Sequence, residues 1–192
     1  MVGNDIIDLN ETRISTNWER PGFMKKVFTP TEQAIIHASA DPFMAVWQLW
    51  SMKESAYKVF MQAGGKRFYN PKKFACQLVD STNGEVRIGD LILKTTTLFH
   101  ADYLFTSAVA NHSKAQSHIF QLKENNQSFQ SNFMHQQVIK DFTKRNTLQS
   151  DQLTIQKDTN GVPFLQDKNG RVNTSLSITH HGNYGAYSLI VN

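Results

Sequence analysis

The stretch D-P-F-M-A-V-W-Q-L-W-S-M-K-E-S-A-Y-K-V-F-M-Q-A-G-G, residues 41–65, decides how this chain is read. Asp41 and Pro42 suit the N-cap and first position of a helix, and Gly64-Gly65 suits its end. Between them Trp47, Trp50, Tyr57 and Met61 recur at steps of three and four, an apolar stripe at helical period. Glu54 stands where that stripe calls for another apolar side chain. A carboxylate facing a core is costly unless a cation, a metal or convergent donors meet it, so Glu54 requires a partner.

Outward from this helix the pattern is mixed. V-G-N-D-I-I-D-L at the start predicts a short strand carrying Asp5 and Asp8. F-T-P-T-E-Q-A-I-I predicts a capping box between Thr29 and Glu32, with Pro30 at the first position of a helix that ends near Ala40. After Gly65 the apolar period becomes two, over residues 74–79, 85–88, 91–98, 103–110 and 118–122, with turns at Asn83-Gly84 and Gly89-Asp90. Residues 123–132 read as a polar linker, 133–145 as a helix through Met134, Val138 and Phe142, and 153–157, 176–178 and 187–191 as strands. Helices packed on antiparallel strands make the expected fold class α+β.

Composition narrows the function. A chain of 192 residues with 40% hydrophobic content buries a real core. No apolar run approaches membrane-spanning length, and the first residues lack the basic start and apolar stretch of a signal peptide. The single cysteine, Cys76, excludes an intramolecular disulfide and suits a cytoplasmic protein. The net charge is +4, with basic clusters at Arg20/Lys25/Lys26, Lys66/Arg67, Lys72/Lys73 and Lys140/Lys144/Arg145. These favour an anionic partner: a phosphorylated small molecule, an acidic protein or nucleic acid. Zinc, P-loop, Rossmann and nucleophile-elbow motifs are all missing, as is any recognisable nucleic-acid signature.

Three short blocks carry candidate chemistry. In V-G-N-D, Asp5 at a strand end suits a hard metal, although such residues more often cap or turn. In W-S-M-K-E-S-A-Y-K, residues 50–58, Glu54 and Lys58 have the spacing of a plain helical ion pair. Glu54 nevertheless stays on the apolar stripe while Lys58 lies towards the polar side, and Lys53 shares a side with Val46, Leu49, Ala56 and Phe60. One carboxylate and two ammoniums there could hold a metal-bound diphosphate. In S-L-S-I-T-H-H-G-N-Y-G-A-Y-S-L, residues 175–189, Ser177, Thr179 and His180, with Gly182 and Gly185 behind them, could present donors to a phosphate, or simply form a polar strand end.

Taken together, Gly3-Asn4-Asp5, Trp50 through Lys58, Gly161-Val162-Pro163-Phe164-Leu165 and Ser177-Ile178-Thr179-His180 resemble the blocks of the 4′-phosphopantetheinyl transferase superfamily. The resemblance implies that fold, and transfer of the 4′-phosphopantetheine arm of coenzyme A to a serine of an apo acyl or peptidyl carrier protein, with release of 3′,5′-ADP. It implies Mg²⁺ on Asp5 and Glu54, with Glu54 also helping to take the serine proton, directly or by way of water. Lys58, and with it Lys53, would neutralise the diphosphate. Thr179 and His180 would grip coenzyme A phosphates, and Gly161 and Pro163 would lie beside the adenine. The basic surface would steer an acidic carrier protein of fatty-acid, polyketide or peptide synthesis, with no nucleic acid or membrane as partner.

Two departures qualify the resemblance. Ile7 stands where two-lobed, surfactin-type members carry a second acid, so the start is closer to the small trimeric holo-acyl-carrier-protein synthases. Val162 stands where many members have lysine. The length instead favours a two-lobed pseudo-dimer, residues 1–122 and 123–192, acting as a monomer with coenzyme A between the lobes. A trimer with sites between subunits is the alternative. A non-catalytic member that binds coenzyme A or a carrier protein is the alternative function.

Overall fold

In the computed structural model, which describes residues 1–110, 114–124, 126–146 and 153–191, strand β1 (Val2–Asp8) leads into helices α1 (Leu9–Ser15), α2 (Phe23–Val27), α3 (Pro30–Ala38) and α4 (Pro42–Gln62). Strands β2 (Ala75–Leu78), β3 (Asn83–Ile88), β4 (Leu91–Phe99), β5 (Tyr103–Ala110) and β6 (Gln116–Gln121) precede helix α5 (Gln127–Asn146). The tail forms β7 (Thr154–Lys157), β8 (Pro163–Asp167), β9 (Gly170–Arg171), β10 (Thr174–His181) and β11 (Tyr184–Val191). The strands form three sheets, ordered β1-β5-β4-β3-β2, β10-β11-β6 and β7-β8-β9, with every pairing antiparallel. The α+β expectation holds. Among the described residues no helix is long and apolar enough to cross a membrane.

The helix signals behave as their chemistry requires. Asp41 accepts from the Met44 amide at 3.0 Å, and Gly64 supplies the positive φ, 87°, after the last turn of α4. The Thr29–Glu32 capping box forms at the start of α3. Leu49, Met52, Ala56 and Val59 of α4 are fully buried against Val86, Leu93 and Leu104 of the large sheet. Burying each of Leu49, Met52 and Val59 contributes about 1.5–3 kcal/mol. Met134, Val138 and Phe142 of α5 organise a second core with Leu165, Leu176 and Tyr187.

The five-stranded sheet and the sheet β10-β11-β6 meet at β1. One edge of β1 pairs with β5 along its whole length. The other faces β10, and there side chains make the junction. The Asn4 amide donates to Ser177 Oγ at 3.0 Å, and that hydroxyl donates to Asn4 Oδ1 at 2.7 Å. The Asp8 amide donates to His181 Nδ1 at 3.0 Å. Gln62 Nε2, at the end of α4, donates to the carbonyls of Val2 and Leu176 at 2.7 and 3.0 Å. β1 and β10, 173 residues apart in chain at Asn4 and Ser177, are thus held in register.

Some boundaries differ from expectation. β6 is hydrogen-bonded to β11, so the strand that a division at residue 122 gives to the first lobe belongs to the second sheet. Six of the ten residues of the expected 123–132 linker are helix, because Asn126 Oδ1 accepts from the Ser128 and Phe129 amides and starts α5 early. Asn83-Gly84 opens β3; the turn lies just before it, where the Asp80 carboxylate accepts from the Thr82 and Asn83 amides. Asp8 is a capping residue: it accepts from the Glu11 amide at the head of α1 and from the Asn183 amide of the β10–β11 hairpin.

Candidate functional site

The site begins with a close approach. A Cβ at Gly3 would run into the Ser55 carbonyl oxygen, so only glycine lets β1 lie this tightly on α4. That contact sets Asp5 opposite the α4 face that carries Glu54 and Lys58. Lys58 Nζ donates to the Asn4 carbonyl at 2.5 Å and stands 3.9 Å from Asp5 Oδ1. From β10, Thr179 Oγ1 donates to the same Asp5 oxygen at 3.3 Å. The junction between the sheets therefore holds Asp5, Glu54, Lys58 and Thr179 together.

Their electrostatics are those of a small, partly desolvated charge cluster. Burial pushes the Glu54 carboxyl up to about 7, and the nearby Asp5 adds to the rise while Lys58 opposes it. Burial also raises Asp5, against Lys58 and the hydroxyls of Ser51 and Thr179. Burial lowers Lys58, against the two carboxylates. With both carboxyls ionised, one ammonium leaves an excess of negative charge that a further cation would relieve.

The donor chemistry fits Mg²⁺. Asp5 and Glu54 supply hard oxygen donors, and Mg²⁺ commonly takes one or two carboxylates with substrate phosphates and water completing the shell. No larger cluster is present: among the described residues no group of three or more His, Cys, Asp or Glu is arranged to hold a metal.

Two cavities flank this face of α4. One, of about 450 Å³, lies between α4, α5, β10 and the turn before β8, and is lined by Lys58, His180, Gly161 and Pro163. It gathers blocks more than a hundred residues apart in sequence. Gly161 turns the chain at φ 80°, and Asp158 Oδ1 accepts from the Asn160 and Val162 amides to shape that turn. Burial, Lys58 and Lys157 hold the His180 imidazole below its usual range. The other cavity, of about 520 Å³, is lined by Glu54, Trp50, Phe68 and Tyr69. Tyr57 and Arg67 line both.

Lys53 does not join the cluster as a ligand for a diphosphate. Its Nζ donates to Glu32 Oε1 at 2.7 Å and to the Pro71 and Phe74 carbonyls at 3.1 and 2.6 Å. Three acceptors use all three of its donors, and the side chain is 1% exposed. The ammonium that the sequence offers to a phosphate is committed to the core.

Other cleft residues escaped the sequence. His135 and Ser131 of α5 reach it, as do Arg67, Lys157 and Asn160. Arg67 belongs to a visible basic cluster, and Lys157 precedes the G-V-P turn by a few residues. Nothing in the sequence distinguishes His135 from any other polar residue beside an apolar helical stripe.

Residues 1–129 match the family model described as ACPS, 4′-phosphopantetheinyl transferase superfamily. The matched part includes Asp5, Glu54 and Lys58 and stops before the G-V-P turn and the His180 strand, which the fold returns to the same cleft. A search of curated proteins returns no match.

Proposed function

The chain belongs to the 4′-phosphopantetheinyl transferase superfamily, and on that premise we propose that it transfers the phosphopantetheine arm of coenzyme A to a serine of an acidic apo carrier protein. The observation that carries the proposal is the junction of β1, α4 and β10, where Asp5, Glu54, Lys58 and Thr179 meet at the mouth of a cleft lined by His180 and the G-V-P turn.

The serine oxygen attacks the phosphorus that bears pantetheine. The bond from that phosphorus to the bridging oxygen breaks, and 3′,5′-ADP leaves with the bonding electrons. The serine proton passes to Glu54, directly or by way of water. Lys58 offsets the charge that builds on the diphosphate, which phosphoryl transfer needs more than covalent help. His180 binds the phosphates of the coenzyme, and the turn at Gly161 and Pro163 flanks its adenine. Asp5 and Glu54 would hold Mg²⁺, which when bound supplies further charge neutralisation and alignment of the diphosphate. Thr179 orients the Asp5 carboxylate. The five-stranded sheet with α4 and the sheet β10-β11-β6 with α5 act as the lobes of a monomer, with coenzyme A between them.

The test is intact-mass spectrometry of an apo acyl carrier protein after incubation with the protein, coenzyme A and Mg²⁺. The expected result is a gain of one phosphopantetheine, lost with EDTA or with Glu54→Gln. Coenzyme A binding without any gain, across several carrier proteins, would replace transfer by a binding-only role.

A further inference from the structure

We propose that two copies of this chain join edge to edge through β6, in an antiparallel pair about a two-fold axis. β6 stands at the end of the order β10-β11-β6 and is paired on one side only. The ladder fixes where its backbone groups point. The Leu122 amide donates to the Asn183 carbonyl at 2.7 Å, continuing the register that sets Gln121 opposite Tyr184. Alternation then turns the backbone groups of Gln116, His118 and Phe120 towards β11, and those of Ser117, Ile119 and Gln121 outward. These outward groups have no hydrogen bond to another described residue.

The edges of the large sheet are closed by side chains. Glu32 takes the Cys76 amide of β2, and Gln62, Ser177 and His181 take the Val2, Asn4 and Asp8 amides of β1. β6 has no such guard. Its Q-S-H-I-F-Q, residues 116–121, holds no charge, proline or glycine, and none of it is buried. An edge left in this way is a template for another strand.

The strand that fits is β6 itself. Within it, only a register centred on Ile119 sets every outward residue against another: Ile119 against the partner's Ile119, and Ser117 against the partner's Gln121. Each such pair exchanges both of its backbone hydrogen bonds. On the face that meets α5, the same register sets His118 against the partner's Phe120 at the closer, non-hydrogen-bonded spacing. The His118 ring is held ready, stacked on Tyr187 at 5.1 Å, with Nε2 accepting from Arg145 at 2.9 Å. Beyond the ends of the strand, exposed Lys114 falls opposite the partner's Glu124, also exposed, and the two-fold axis repeats the pair. Aliphatic, aromatic and charged partners thus match in one register, as a self-complementary interface requires. The single chain remains the catalytic unit. β10, which lines the coenzyme cleft, lies across β11 from β6, so each copy keeps its own cleft.

The test is sedimentation equilibrium of the full chain from about 1 μM to 1 mM, which reads the dimer whether or not phosphopantetheine is transferred. The wild type should pass from monomer to dimer across that range. Ile119→Lys sets like charges at the axis and should raise the dissociation constant about tenfold or more. Ile119 also packs beside Phe105, so the thermal midpoint of this variant is measured alongside. If it unfolds, two variants at exposed positions decide: Lys114→Glu should weaken the dimer about fivefold, and Lys114→Glu/Glu124→Lys should restore it to within about twofold of the wild type. Coenzyme A affinity should be the same above and below the dissociation constant, and a loss on dilution would overturn the separate clefts. A wild type that stays monomeric throughout would overturn the dimer. So would a dimer that neither Lys114→Glu nor a folded Ile119→Lys weakens. Weakening by Lys114→Glu without recovery in the double variant would overturn the register centred on Ile119.

Discussion

Lys53 and Glu32 form an ion pair of 2.7 Å, their side chains 1% and 0% exposed, one residue from the Glu54 carboxylate that faces the site. Glu32 Oε1 also accepts from the Cys76 amide, and Oε2 from the Thr29 amide, so the carboxylate joins α3, α4 and β2. Lys53 adds the segment at Pro71 and Phe74 that walls the Glu54 cavity. The pair is fully satisfied, and its removal by halves leaves a charge stranded in the core.

Lys53→Met should therefore cost stability, about 3–5 kcal/mol by urea denaturation, as one-sided loss of a buried pair does. Lys53→Met/Glu32→Gln should recover part of that loss. The folded fraction of Lys53→Met should bind coenzyme A with little change. A large loss of coenzyme A affinity with stability retained would return Lys53 to the diphosphate.

The same lysine marks the limit of what the sequence tells. Its helical position next to Glu54 was visible, but its length lets Nζ reach carbonyls that only the tertiary fold supplies. The long helix, the capping box and β5 were legible because caps and apolar periodicity are local signals. The α5 start was obscured by the polar run around Asn126, and α1 is short and opens on a strand-end Asp8. The meeting of Asp5 with Glu54 was legible only through family resemblance, since side-chain bonds between β1 and β10 span almost the whole chain. His135 had no local signal at all.

Glu54→Gln should separate function from stability. A carboxyl raised from 4.5 to about 7 binds more protons in the folded state, so its burden on folding is absent at low pH and grows as pH rises through that interval. In EDTA at pH 8 the variant should be more stable than the wild type by about 1–3 kcal/mol, and at pH 4 the two should converge. Mg²⁺ should raise the thermal midpoint of the wild type and leave that of the variant unmoved. Equal Mg²⁺ shifts would remove Glu54 from the metal.

Gly3→Ala should disturb the site from outside it. The added methyl meets the Ser55 carbonyl, a backbone atom inside α4 that cannot swing aside. Overpacking of this kind costs about 1–3 kcal/mol. Because β1 must shift away from α4, Asp5 moves relative to Glu54, and Mg²⁺ should stabilise the folded variant less than the wild type. Denaturation with and without Mg²⁺ reads both effects. A variant of normal stability and normal Mg²⁺ response would show that β1 has slack.

The pH dependence of coenzyme A binding should expose the two histidines of the cleft. Burial and Lys157 hold His135 below its usual range, and burial, Lys58 and Lys157 do the same for His180. Both rings are therefore neutral at pH 7, and for the free protein the stability they contribute is lost as pH falls through the ordinary histidine range. Bound phosphates reverse the local field and favour the imidazolium forms. Binding should take up protons and tighten as pH falls from about 7 towards 5.5, by up to about tenfold for each unit by which a ring is raised. The coenzyme's own phosphate gains a proton near pH 6, which weakens binding over the same interval, so the decisive comparison is with His135→Gln/His180→Gln. Calorimetry in two buffers of different ionisation enthalpy should show proton uptake larger in the wild type than in that variant. Equal uptake in both would place the phosphates elsewhere than beside His135 and His180.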